Sequence, residues 1–178
     1  MATIRGYIGA SLDGYIAAPG GDLGWLTKYD KADFGPYGYQ TFIKEIQTVV
    51  MGRATYDWLV AAGVPWPHAE QRVVIVTSRP IENPAGPLTT WTDGITALTT
   101  YLRGLTDGDV WLVGGGKLQQ AMIAEGGLDR LELFIVPEML GEGVPLFPPN
   151  GYRRSLRLTS ADRLGEGVIR LDYAFAGD

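Results

Sequence analysis

The chain has 178 residues, enough for one domain with a sizeable core, and sets 15 Lys and Arg against 20 Asp and Glu for a formal charge of −5. That balance, with no basic run beyond Arg153-Arg154 and Arg157, argues against nucleic acid as a partner. Cysteine is absent and the one histidine is His68, which excludes disulfides and thiolate chemistry and argues against a bound metal, zinc included.

No long apolar core opens the chain and no stretch approaches ~18 apolar residues, so it reads as soluble and cytoplasmic. Residues 3–10 read as a first strand, broken at Ser11-Leu12-Asp13-Gly14 and resumed briefly by Tyr15-Ile16-Ala17 before a proline-glycine turn. Residues 23–39 mix Trp25, Leu26, Tyr29, Phe34, Tyr37 and Tyr39 with glycines and charges. So aromatic a stretch is either a flap over a pocket or a ragged helix packed on a sheet. From Gln40, the spacing of Phe42, Ile43 and Ile46 predicts a helix feeding directly into a strand at 48–51.

Gly52-Arg53-Ala54-Thr55-Tyr56 turns that strand into a second helix, with Tyr56, Leu59 and Val60 inward, ended at Val64-Pro65-Trp66-Pro67. His68, in this proline-marked loop, is expected to face solvent. A buried strand at 72–77 is closed by Ser78-Arg79-Pro80, and a short one follows at 88–91. Thr92 or Asp93 would cap the next helix, whose inner face is Ile95, Leu98, Leu102 and Leu105.

Val110-Trp111-Leu112-Val113 is the apolar run of a strand buried on both faces. Gly114, Gly115 and Gly116 then strip side chains from its end, and helical spacing resumes at Lys117 with Leu118 and Met122 inward. A strand at 131–136 stops at Pro137, and a loop spans 140–148. Segments 155–161 and 168–175 form a closing hairpin, with Ile169, Leu171, Tyr173 and Phe175 on one half-buried face. Strands alternating with helices predict an α/β fold with a mostly parallel sheet, to which the hairpin adds antiparallel strands. Nothing divides 1–178 into two domains.

Three strand ends share a chemical character: Met51 to Thr55, Thr77-Ser78-Arg79, and Val113 to Lys117. Ligands of open parallel sheets sit beyond the carboxyl ends of the strands. Bare N–H groups at a glycine-rich helix start, with Arg53 and Arg79 as fork donors, suit a ligand with several phosphates. Neither a G-x-G-x-x-G fingerprint after the first strand nor a triphosphatase loop is present, and no Gly-x-Ser-x-Gly elbow supports a hydrolase.

Met51-Gly52-Arg53-Ala54-Thr55-Tyr56 and Val113-Gly114-Gly115-Gly116-Lys117-Leu118 resemble the two signature segments of the dihydrofolate reductase fold. Ser11-Leu12-Asp13-Gly14-Tyr15-Ile16-Ala17 and Gly21-Asp22-Leu23-Gly24-Trp25-Leu26 are more similar to its relatives, the reductase domain of riboflavin biosynthesis and small bacterial proteins grouped with it. The resemblance runs from Ile4 to about Phe175. It implies a three-layer dihydrofolate reductase-like fold that binds NADPH and reduces a C=N or C=O bond of a planar heterocycle, a pterin or a ribosylaminopyrimidine-like compound. Gly52, Arg53, Ala54 and Thr55 would meet the pyrophosphate, Arg53 also approaching the 2′-phosphate, and Thr77, Ser78 and Arg79 the adenosine end. Val113, Gly114, Gly115, Gly116, Lys117 and Leu118 would pass under the pyrophosphate, with a cis peptide between Gly114 and Gly115. Ala10, Ile16 and Ala17 would border the nicotinamide.

By the same resemblance Asp13 is the candidate catalytic carboxylate, although an aspartate before glycine also serves turns. Trp25, Phe34 and Tyr37 would stack on the substrate. The folate reductases' carboxylate has no well-placed counterpart in 33–42, which makes dihydrofolate reduction the alternative rather than the first reading. A nucleotide- or drug-binding module that has lost its chemistry is a second alternative. Relatives of this kind are often homodimers, and Leu156, Leu158 or Ile169 on the closing hairpin offer an apolar face for one.

Overall fold

Runs such as Thr48-Val49-Val50-Met51 and Val73-Val74-Ile75 have no polar face, so they are stable only between two layers. In the computed structural model, which describes residues 1–175, they become β3 (Ile46–Gly52) and β4 (Arg72–Val76) in the middle of one eight-stranded sheet. The other strands of that sheet are β1 (Ile4–Ser11), β5 (Thr89–Trp91), β6 (Asp109–Gly114), β7 (Arg130–Val136), β9 (Leu156–Arg163) and β10 (Ile169–Phe175). Their order is β5-β4-β3-β6-β1-β7-β10-β9, parallel from β5 through β7 and antiparallel from β7 to β10 and from β10 to β9. A separate two-stranded ladder joins β2 (Tyr15–Ala17) to β8 (Val144–Pro145).

Helices cover both sides of the parallel part: α1 (Gly24–Thr27), α2 (Tyr39–Phe42), α3 (Arg53–Ala61), α4 (Ile95–Arg103) and α5 (Gly116–Ala124). Because side chains alternate across a strand, Val50 joins Leu98, Leu102, Leu112 and Met122 on the α4/α5 side, while Val49 and Met51 join Phe42, Tyr56 and Ile75 on the other. Each of these fully buried aliphatic side chains contributes roughly 1.5–3 kcal/mol. An aromatic cluster of Tyr29 and Phe134 with Val136 and Val168 extends the second side beneath the 24–37 segment. Gly9 permits that segment to lie flat on β1, since a methyl group there would sit 2.9 Å from Leu26 Cδ1. The three-layer dihydrofolate reductase-like α/β architecture is therefore as the motifs implied.

Several local expectations are corrected. The helix from Gln40 is a single turn, α2, followed by a 3-10 turn at Ile43–Glu45, and Ile46 already pairs with Asp109. Ladder pairing ends the helix there. Val60 is 45% exposed, so α3 buries Tyr56 and part of Leu59 only. Gly94, not Thr92 or Asp93, is the N-cap of α4. His68 is buried rather than solvent-facing, at 3% exposure, with its ring edge-on to Trp66 and Trp111 at 5.8 and 5.7 Å. The loop that carries it stays exposed on either side and turns only His68 and part of Trp66 inward.

Candidate active site

The registers Gly52↔Val76 and Met51↔Gly114 align the tips of β4, β3 and β6 side by side. Thr77 to Arg79, Gly52 to Thr55 and Gly114 to Lys117 therefore follow one another along the carboxyl end of the sheet. Both helices that start there, α3 and α5, are nine residues long, open on glycine N-caps (Gly52 and Gly115), and have neither a side-chain cap nor an acid in the first turn. Their first N–H groups and positive dipole ends are left for a ligand. The two openings abut: a methyl at Gly52 would lie 3.8 Å from Gly114 O, and one at Gly115 would lie 3.6 Å from Thr55 Oγ1. The Gly114–Gly115 peptide is cis.

Arg53 ties α3 to the neighbouring tip. Its Nε donates to Asp57 Oδ1 at 2.7 Å and its Nη1 to the carbonyls of Arg79 and Pro80 at 3.3 and 3.0 Å. The Thr77 hydroxyl accepts the Arg79 N–H at 3.1 Å, shaping the turn that leaves Ser78 and Arg79 exposed. Leu118 is buried beneath this floor, and Lys117 is exposed at its rim.

Beyond β1, Ala10 is buried and Ser11 begins a brace. Ser11 Oγ donates to Asp13 Oδ1 at 2.6 Å, and Asp13 accepts the Leu140 and Gly141 N–H groups at 3.1 and 2.7 Å. The Ser11 hydroxyl first, and then the Gly141 and Leu140 N–H groups, hold the Asp13 carboxyl below its ordinary range. It therefore ties the 138–148 loop to the end of β1. Glu138 anchors the same loop, accepting from Lys28 Nζ and, at 2.9 Å, from Tyr29 Oη. The β2–β8 ladder then carries Ile16 and Ala17 alongside the 144–145 segment, which Gly116 admits so closely that a methyl there would lie 2.6 Å from Pro145 O.

Trp25, Phe34 and Tyr37 pack against the aromatic cluster on the far side of β1. Phe34 stacks on Phe134 at 5.6 Å, the Trp25 indole N–H donates to Asp22 O at 3.2 Å, and the Tyr37 ring lies under the Arg170 guanidinium at 4.1 Å. One ring face of Phe34 and one of Tyr37 are thus covered by protein.

A second feature escaped the sequence reading. Arg170, Asp172, Glu132 and Arg5 are all buried, on the face of β10 and its neighbours opposite Ile169 and Leu171. Arg170 donates to Glu132, Asp162 and Asp172, and Arg5 to Glu132 and Asp109 at 2.6 and 3.1 Å. Burial works against the charge of both arginines, yet their carboxylate partners hold both pKa values above the ordinary one. With Tyr7 and Tyr37, the Arg5, Glu132 and Arg170 side chains line a cavity of about 170 Å³. Its signal was present as opposite charges at period two in β7 and β10, but nothing local says that they are covered.

A family model described as the RibD C-terminal domain matches residues 2–170. The chain belongs to this family. The Bacillus subtilis (strain 168) uncharacterized protein YwjB is 29% identical to this RibD C-terminal domain over 170 residues, 96% of each chain. A structure from Shewanella sp. PV-4 named for riboflavin biosynthesis superposes with a TM-score of 0.84 at 24% identity, covering 99% of this chain and 100% of that one. Dihydrofolate reductase from Enterococcus faecalis, complexed with NADP(H), superposes at 0.64 and 19% identity, covering 98% and 97%. Among the described residues no helix is long and apolar enough to cross a membrane.

Proposed function

We propose that the chain is an NADPH-dependent reductase acting on a C=N or C=O bond of a planar heterocycle such as a pterin or a ribosylaminopyrimidine-like compound. One observation carries the reading: two uncapped helix N-termini and a basic turn stand at adjacent strand tips, where the groove for the cofactor would lie. A side chain at Gly115 would point toward Thr55 Oγ1 between the two helix openings, and a diphosphate matches the uncapped donors there.

Gly52, Arg53, Ala54, Thr55 and the run from Val113 to Leu118 would hold the diphosphate, with Thr77, Ser78 and Arg79 at a 2′-phosphorylated adenosine. Ala10, Ile16 and Ala17 would border the nicotinamide. The bound cofactor supplies the hydride, and the chain's task is to position it and exclude bulk water. Asp13, held ionised by its N–H donors, serves as the brace of the substrate wall, and the product's proton comes from an ordered water. The exposed Leu156, Leu158 and Ile169 on β9 and β10 support a homodimer formed through that face.

The test is a fluorescence titration with NADPH and NADH, followed by an absorbance assay of NADPH loss with a ribosylaminopyrimidine and with dihydrofolate. Micromolar binding of NADPH is expected, weakened roughly 10–100-fold by Arg79→Ala, as for a lost charge-assisted hydrogen bond, with NADH unaffected. No binding at millimolar NADPH removes the oxidoreductase reading. Binding without turnover of either acceptor favours the binding module, a reading supported by the occupied Asp13 carboxylate and the packed faces of Phe34 and Tyr37.

A further inference from the structure

The chain has two asparagines, and the residue after each decides what its side chain can do. Asn83 precedes Pro84, whose nitrogen carries no hydrogen. Asn150 precedes Gly151, on the stretch between β8 and β9. Both residues of this pair are exposed, and Gly151 takes a φ of 75°, open to glycine at low cost.

The turn brings three reactive parts together. Asn150 Oδ1 accepts the Tyr152 N–H at 2.9 Å, which closes a small ring that contains the Gly151 nitrogen. The carboxamide is therefore folded back over the peptide that follows it. Among the described residues the Gly151 N–H makes no hydrogen bond of its own. The Tyr152 N–H polarises the carboxamide and stands where negative charge gathers on Oδ1 when a nucleophile adds to Cγ, as a donor in an oxyanion hole does.

We propose that Asn150 is a site of spontaneous covalent modification, at which the Gly151 nitrogen displaces ammonia and the residue becomes aspartate or isoaspartate. The Gly151 nitrogen gives its proton to water or hydroxide and attacks Asn150 Cγ. The N–Cγ bond forms, the Cγ–Nδ2 bond breaks, and Nδ2 takes a proton from solvent and leaves as ammonia. Water then opens the five-membered imide. Cleavage at Cγ gives aspartate, and cleavage at the Asn150 carbonyl carbon gives isoaspartate, whose backbone is one carbon longer. One water enters and one ammonia leaves, with no oxidant or cofactor, and the formal charge falls one below −5.

The Asp–Gly pairs at 13–14, 93–94 and 107–108 have no ammonia to lose. Asp13 and Asp107 are also held ionised, by Ser11 and by Arg72 foremost, which makes each a poor electrophile. The ties of the loop to α5 lie before the reacting pair: Leu146 is buried, and Gln120 Nε2 donates to Pro148 O. The modification therefore leaves that packing in place.

The experiment incubates the full chain, folded and in urea, at pH 7 and pH 8.5. It follows intact mass, released ammonia and the peptide carrying residue 150, with isoaspartate read by an isoaspartate O-methyltransferase. Wild type is expected to gain one mass unit at Asn150, faster at the higher pH and at least as fast folded as in urea. Gly151→Ala should slow the gain roughly tenfold, because a side chain disfavours the positive φ and crowds the nitrogen. Asn150→Gln should release no ammonia over the same period, and both variants should keep the wild-type Tm. Folded wild type that keeps its mass while the unfolded chain converts overturns the proposal. Conversion that is slower folded than unfolded overturns the part given to the Tyr152 N–H. Undiminished ammonia release from Asn150→Gln puts the reaction elsewhere and overturns the assignment. No readout needs NADPH, so this inference stands or falls apart from the cofactor reading.

Discussion

Arg170 is 1% exposed and keeps its charge only because Glu132, Asp162 and Asp172 surround its guanidinium while Tyr37 covers its face. Replacing it with methionine strands Glu132 and Asp172 without their shared partner in a poorly solvated layer. The loss of one member of such a cluster costs about 3–5 kcal/mol. Urea unfolding of Arg170→Met should show that loss as a lower midpoint with an unchanged slope, and a change below about 1 kcal/mol would mean that water reaches the cluster. Asp172 shows the same balance from the other side: burial pushes its pKa up, but Arg130 and Arg170 bring it below the ordinary carboxylate value. The sequence displays these charges at strand spacing, but nothing local marks them as covered. Arg53 was legible as a groove residue, whereas its bonds to the Arg79 and Pro80 carbonyls depend on two strand tips being neighbours.

At the scale of elements, the loop between α3 and β4 carries its own pH dependence. His68 is packed between Trp66 and Trp111, and neither its Nδ1 nor the Trp66 indole N–H has a hydrogen-bond partner among the described residues. Burial holds its pKa below 6.5, so folding favours the neutral ring. That stabilisation is complete above pH 6.5 and is lost as the pH falls from there toward the lowered folded-state value. The carboxylates with lowered values, Asp13, Asp172 and Glu138, lose theirs only below their ordinary 3.8 to 4.5. Wild-type Tm should therefore drop between pH 7 and pH 5.5, and His68→Phe should flatten that step while leaving the fall at lower pH. Equal pH profiles for the two proteins would remove His68 as its source. The same loop shows why periodicity misled: Pro65 and Pro67 read as surface punctuation, but the segment between and beyond them packs inward against Trp111 and Gly86. Likewise, apolar spacing at 42–46 fitted a helix until strand pairing claimed Ile46.

At the scale of the molecule, α4 and α5 cover the parallel strands but leave the matching face of β10 and β9 bare. Leu156, Leu158 and Ile169 are 37%, 49% and 38% exposed there, beside partly buried Leu171, Tyr173 and Phe175. A flat apolar face of this kind is suited to a second copy related by a two-fold axis. Sedimentation at tens of micromolar should give a dimer, and Leu158→Glu should give a folded monomer; a monomeric wild type would refute the assembly. The strand-and-helix alternation made this uneven cover foreseeable, because no α-helix lies between the last two strands.

The amino-acid sequence by itself determined the α/β class, the run of strands through 136, the closing hairpin and the glycine-marked strand ends, because apolar periodicity and backbone freedom are local properties. Tertiary structure alone decided that three of those ends are neighbours in the sheet, that Asp13 is tied to the 138–148 loop, that His68 and Arg170 are buried, and that Gly21 meets Trp58. Each of these depends on strand order and on what lies across a gap. A residue's own neighbours in the chain do not report the solvent, charge or side chain brought to it from a hundred positions away.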